Sequence, residues 1–135
     1  MKKGTMTAIL TTLAAAVLLT AMLMVIAVPS HVIKKDRVIV EGLFSSRVEI
    51  PFSSIKAVEI LDDPERGTKV TGIASILASS GVYRVDEVDY YLFAYEKVRP
   101  LIAIRTEDAS ILFNCSTEEK TLKAFSNLKG AVLLP

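Results

Sequence analysis

Cysteine and histidine each occur once in the 135 residues, at Cys115 and His31. A lone cysteine closes no disulfide within the chain, so stability has to come from an apolar core. His31 and Cys115 are also the only thiol–imidazole pair available, and nothing in the sequence brings them together. Cys115 follows a strand and precedes a helix start, a position that can lower a thiol pKa. A complete phosphate loop is missing too. The stretch RGTKVTGIASI, residues 66–76, holds Gly67 and Gly72 at the glycine spacing of G-x-x-x-x-G-K-[ST], but Ile73 and Ala74 stand where lysine and a hydroxyl are needed. Asp86-Glu87-Val88-Asp89 lacks the glycine and the twelve-residue frame of a calcium loop. With no nucleophile–base pair, metal-ligand cluster or cofactor motif, the sequence points away from an enzyme and assigns no catalytic residue, metal or cofactor.

Charge is absent from residues 4–32. Within that stretch, residues 6–28 read MTAILTTLAAAVLLTAMLMVIAV, which as a helix rises about 34 Å and exceeds a hydrocarbon core of roughly 30 Å. Thr7, Thr11, Thr12 and Thr20 are compatible with this, because a threonine hydroxyl can bond back to a helical carbonyl. Pro29 stops the helix. A secretory signal occupying residues 1–27, with Val25-Ile26-Ala27 as its cleavage site, is the competing reading. The apolar run is longer than the 7 to 15 residues of a signal core, which favours a retained span. Lys2 and Lys3 on one flank nearly balance Lys34, Lys35 and Arg37 on the other, and the short N-terminal tail favours an extracytoplasmic domain. The chain therefore divides into a tail (1–5), a transmembrane helix (6–28), a juxtamembrane linker (29–37) and a domain (38–135).

An excess of positive charge is missing from that domain. It carries eleven basic against fourteen acidic residues, a net charge of −3. Nucleic-acid binding rests on a positive face, so nucleic acid is not expected as a partner. What the domain has is strand signal. Residues 37–44, 46–52, 55–61, 81–85, 90–95, 100–106 and 110–115 are short and rich in β-branched and aromatic residues. Ser45-Ser46 joins the first two, and Val58 and Ile60 alternate with Glu59. Seven such strands predict an antiparallel barrel or sandwich. The period then changes. Residues 117–129 predict an amphipathic helix with Ser116 and Glu119 as a capping box, Leu122, Phe125 and Leu128 as its apolar stripe, and Lys129-Gly130 at its end. Such a helix caps the barrel.

Residues 55–130 resemble the small bacterial pleckstrin-homology (PH) domain proteins that follow a membrane segment. The likeness rests on VEILDDPERG from Val58, the glycine-punctuated loop after it, Gly81-Val82-Tyr83, and Ile102-Ala103-Ile104-Arg105-Thr106-Glu107-Asp108. It closes with the helix from Thr117 to Leu128, and Ala109 stands where the late turn often has glycine. The resemblance implies a seven-stranded barrel capped by a C-terminal helix, and a binding module that works through loops at the open end.

On that basis the loop containing Arg66 and Lys69, with Arg84 just beyond it, is the candidate ligand- or lipid-binding site, since loops on a rigid β scaffold commonly carry binding groups. Pairing of these cations with Asp62, Asp63 and Glu65 is the plainer alternative. Ile73, Ile76 and Leu77 serve either the core or contact with a bilayer or partner. The function expected is a membrane-anchored PH-like interaction module whose partner is a protein or a lipid headgroup. A structural module that forms homo-oligomers at the membrane, or a secreted domain after signal cleavage, are the alternatives.

Overall fold

An apolar helix cannot bury all its sides against so small a domain, and here residues 3–22 of it are left uncovered. The computed structural model describes residues 2–26, 28–42 and 46–133. Helix α1, Lys3–Ile26, is 24 residues long, and its stretch Lys3–Met22, mean hydropathy 1.8, is not covered by the rest of the chain. It is long and apolar enough to cross a membrane. Thr7, Thr11, Thr12 and Thr20 each donate to the carbonyl four residues back at 2.8–3.0 Å. Ala27, in the expected span and cleavage site, lies outside the described residues.

The strands number nine, not seven, in two sheets. The smaller sheet runs in the order β1 (Ser30–Ile33), β2 (Arg37–Glu41), β3 (Arg47–Pro51), all antiparallel. β1 falls within the stretch read from sequence as a linker. Four residues followed by Lys34-Lys35 carry too little pattern to mark a strand, and its ladder to β2 supplies the missing energy. The hairpin turn at 43–45 is outside the described residues, and beside it the Gly42 N–H donates to the Ser46 carbonyl at 2.8 Å. A short 3₁₀ turn, Phe52–Ser54, then leads into the larger sheet.

That sheet holds β4 (Ile55–Asp62), β5 (Thr68–Ala74), β6 (Ala78–Val85), β7 (Val88–Tyr95), β8 (Pro100–Thr106) and β9 (Ser110–Phe113), in the order β4-β8-β9-β7-β6-β5. Two findings correct the sequence reading. The expected glycine loop is β5 and the start of β6, which extend the strand expected at 81–85 into a hairpin; Gly72 and Gly81 mask the strand pattern before it. These two glycines face each other, with φ of 111° and 156°. A Cβ on either would come within 2.2 Å of a backbone oxygen across the hairpin, so only glycine fits. Second, the sheet is not wholly antiparallel: β9 inserts between β7 and β8 and runs parallel to β7.

Consecutive strands β4 and β5 occupy the opposite edges of this sheet. Flat, those edges would stand about 24 Å apart at ~4.8 Å per strand. The five connecting residues, 63–67, span at most about 20–22 Å. The sheet must therefore curl, and the link turns at Asp63 and Gly67, both with positive φ. Alternation along β7, β8 and β9 gives the sheet two buried faces. Tyr83, Tyr90, Leu92, Ala94, Leu101, Ala103 and Leu112 gather on one. On the other, Phe93, Ile102, Ile104, Ile111 and Phe113 meet Val38, Val40 and Ile50 of the small sheet and Ala124 and Leu128 of helix α2 (Glu118–Leu133).

Helix α2 seals that second layer as expected, with a different stripe. Thr121, Ala124 and Leu128 are the buried positions, Phe125 is half-buried, and Leu122 is 45% exposed. The spacing 121-124-128 follows the helical period more closely than steps of three. The cap also shifts by one residue. The helix starts at Glu118, and the Thr117 hydroxyl accepts the Lys120 N–H at 3.1 Å. Gly130 lies inside the helix rather than ending it.

Candidate functional site

The three cations singled out in sequence do not converge. Arg66 sits in the crossing segment, where its guanidinium meets Glu96 at 2.8 Å, and Glu96 also accepts a hydrogen bond from the Ser79 hydroxyl. The Arg66 carbonyl accepts the Tyr90 hydroxyl at 2.6 Å, and burial pushes the Tyr90 pKa up to about 12. Arg66 thus fastens the curl. Arg84 pairs with Asp89 at 2.6 Å, which holds that carboxyl below its ordinary value through a direct hydrogen bond. Lys69 is opposite Tyr83 and Arg84 opposite Thr68, so the two lie at neighbouring register positions that point to opposite faces. The acidic partners expected for Arg66 and Arg84 were Asp62, Asp63 and Glu65. The actual ones, Glu96 and Asp89, come from β7 and its end.

A different group of residues does converge. A cleft of about 350 Å³ opens between the start of β1, the end of β9 and the first turns of α2. It is lined among others by Pro29, His31, Tyr95, Cys115, Lys120 and Lys123. Its size is within the range of small-ligand sites. Lys120, Ala124 and Asn127 follow one another along one helical stripe, with Lys123 beside them. The two lysines and the imidazole stand around it, and no carboxylate is among its lining residues. Lys120 reaches the Ser116 hydroxyl at 3.3 Å, and Lys123 has no ion-pair partner among the described residues. Tyr95 anchors the far wall, its hydroxyl donating to the Pro29 carbonyl at 3.0 Å.

The thiol–imidazole pair that nothing in the sequence brought together forms here: Cys115 Sγ lies 3.7 Å from His31 Nδ1. The pairing of β1 with β2 makes this contact across 84 positions. The His31 ring also packs on Phe113, centroids 5.4 Å apart. Burial lowers the His31 pKa, and burial raises that of Cys115, against smaller opposing effects from the Thr121 hydroxyl and Lys120. The thiol is therefore not activated by the helix start. α2 begins three residues further on, and desolvation by burial is the largest influence on the thiol. Both shifts favour neutral thiol beside neutral imidazole, the reverse of the ion pair that a reactive cysteine requires.

One pH effect follows. The unfolded chain takes up a proton near pH 6.5, the ordinary histidine value, whereas folded His31 does so only at lower pH. Between those values the unfolded state binds more protons, so stability is complete above about pH 6.5 and declines as pH falls below it. His31 is the only histidine. The thermal midpoint of the full-length protein in detergent is expected to be lower at pH 5.5 than at pH 7.5, and the difference should shrink in His31→Gln. Equal slopes in the two proteins would remove His31 as the cause.

Comparison with known families decides the fold assignment. A family model described as bacterial PH domain matches residues 30–125. The chain belongs to the bacterial PH domain family. No curated protein and no solved structure matches it. The matched PH domain begins at β1 and ends within α2. It therefore includes His31, Tyr95, Cys115, Lys120 and Lys123 of the cleft, as well as the short strand that sequence reading assigned to a linker. Among the described residues no group of three or more His, Cys, Asp or Glu is placed to hold a metal ion.

Proposed function

We propose that this is a single-pass membrane protein whose PH domain is a non-catalytic binding module, and that the cleft beside α2 takes an anionic group. The observation that carries this is the pairing of Lys120 and Lys123 around a cleft with no carboxylate in its wall, starting three residues after α1 ends. The uncovered apolar helix supports a retained anchor. The position of Pro29 and Ser30 in the cleft wall, just beyond α1, supports a site at headgroup level, where anionic lipid is the nearest source of negative charge. Arg66 and Arg84, engaged in ion pairs, serve the fold on this reading, and Lys69 is secondary.

Cys115 lines the same cleft and reports on its occupancy. In nanodiscs, maleimide labelling of Cys115 should be slower with phosphatidylglycerol than with phosphatidylcholine alone. Near an anionic surface each lysine is worth about 1 kcal/mol, so Lys120→Ala with Lys123→Ala removes about 2 kcal/mol, roughly a 30-fold loss of occupancy. That double variant should label at one rate in both lipids. Arg66→Ala, Lys69→Ala and Arg84→Ala together should keep the lipid dependence. The opposite pattern would move the site to the β5–β6 side.

A further inference from the structure

We propose that the tip of the β5–β6 hairpin, Ile76 and Leu77, inserts into the interfacial zone of the same membrane that α1 crosses. This rests on the anchor reading above and is independent of the cleft's ligand. Ile76 is 79% exposed and Leu77 42%, with Val70 and Ile73 exposed along the strand leading to them. Between Lys69 and Arg84, residues 70–83 hold no formal charge, although every residue of β5 is exposed. Exposed edge strands in water are ordinarily protected by charge, above all by lysine. Beyond Lys69 the edge is uncharged up to its apolar tip, which suits an environment other than water.

The topology places that tip beside the end of α1. Ala78 is paired with Tyr95, opposite positions of an antiparallel ladder about 5 Å apart. The Glu96 N–H donates to the Leu77 carbonyl at 2.9 Å. Tyr95 then spans the remaining gap, its hydroxyl bonded to Pro29, the third residue after α1. One residue pair and one tyrosine side chain thus separate the hairpin tip from the chain's exit from the apolar helix. Asn114 bonds to Tyr95 as well, so the cleft with Lys120 and Lys123 belongs to this end of the sheet. Apolar side chains that dip below the headgroups, next to cations at headgroup level, form the combination by which surface segments hold to anionic bilayers. With α1 as the first attachment and the tip as the second, the PH domain would be fixed in one orientation, its cleft turned toward lipid. Val88, the first residue of β7, pairs with Val85 at the opposite end of the β6–β7 ladder from the tip.

The test uses the full-length protein in phosphatidylcholine–phosphatidylglycerol vesicles. The chain has no tryptophan, so Ile76→Trp introduces the sole indole, at an exposed position. Vesicle flotation reads the anchor, and quenching by brominated acyl chains reads the tip. The Ile76→Trp protein should float, emit at shorter wavelength than in detergent-free buffer models of indole, and lose most of its emission to brominated lipid. Leu77→Trp should behave alike. Val88→Trp, at a side chain 66% exposed, should float, keep a water-like emission and escape quenching. Protein that floats while Ile76→Trp and Leu77→Trp are quenched no more than Val88→Trp overturns the insertion and leaves the anchor standing. Protein that does not float overturns the anchor and the insertion with it.

Discussion

Replacing Leu128 with aspartate is expected to abolish folding of the PH domain, and Leu128→Ala is expected to remove about 2–5 kcal/mol, the range for a large-to-small change in a closed core. The side chain is fully buried among Val38, Val40 and Ile50 of one sheet and Phe93, Ile102, Ile104, Ile111 and Phe113 of the other. A carboxylate there would lose its water with no cation within the cluster, a cost of several kcal/mol in addition to the lost packing. Domains of this size have about 5–15 kcal/mol of stability in total. Pulse proteolysis of the full-length protein across a urea series provides the measurement. At a slope of ~1–3 kcal/mol per molar, Leu128→Ala should lower the midpoint by roughly 1–3 M. Leu122→Ala, at a side chain nearly half exposed, should change stability by less than about 0.5 kcal/mol. A Leu128→Ala midpoint as close to wild type as that of Leu122→Ala would mean that α2 is not docked between the sheets.

The contrast between Leu122 and Leu128 also marks where sequence reading stops. Period and residue type locate α2, but a repeat of three and a repeat of 3.6 select different faces, and only packing against β4 and β8 chooses between them. The strands with β-branched alternation, such as Val58 and Ile60 of β4, were legible because half-burial writes itself into the pattern. β1 was not: four residues beside two lysines hold no period, and its partner lies in β2. The β5–β6 hairpin was hidden by the glycines it needs, since close approach of two backbones at Gly72 and Gly81 requires residues that also signal loops. The parallel neighbours β7 and β9 left no local trace, because strand order is decided by which edges remain free.

The candidate site was less legible than the fold, for a related reason. Lys120 and Lys123 three residues apart look like any solvated helix face. They become a site only when β1 and the end of β9 form the opposite wall. His31 and Cys115 are the sole members of their types, yet their approach depends on β1, one of the two strands that the sequence pattern does not reveal. Arg66 stands in a glycine-punctuated stretch of the sequence. Its ion pair with Glu96 depends on the curl of the sheet, which in turn depends on the shortness of the link between β4 and β5.

Asn114 holds the junction on which both the fold and the cleft depend. At the end of β9 it is 2% exposed, and its backbone N–H donates to the Phe93 carbonyl at 3.2 Å. Its side chain then extends the short parallel ladder: Oδ1 accepts the Tyr95 N–H at 2.7 Å, and Nδ2 donates to the carbonyls of Tyr95 at 3.3 Å and Val98 at 2.9 Å. Asn114→Ala leaves those three backbone groups without the partner they have here. At about 1–3 kcal/mol for a stranded buried group, and with some relief from water, a total loss of about 2–4 kcal/mol is expected. Asn114→Asp distinguishes this account from simple loss of volume. Its carboxylate can still accept the Tyr95 N–H but faces two carbonyls, so the folded state should raise its pKa above the ~3.9 of an unfolded aspartate. A raised folded pKa adds stability that is complete below the unfolded value and is lost as pH rises through the folded one. The gap in thermal midpoint between Asn114→Asp and wild type should therefore be small near pH 4 and wide at pH 7, while the gap for Asn114→Ala stays nearly constant. Because Tyr95 also holds Pro29, both variants should expose Cys115 to faster maleimide labelling at pH 7. A pH-independent Asn114→Asp gap would mean that the amide acts only as filler.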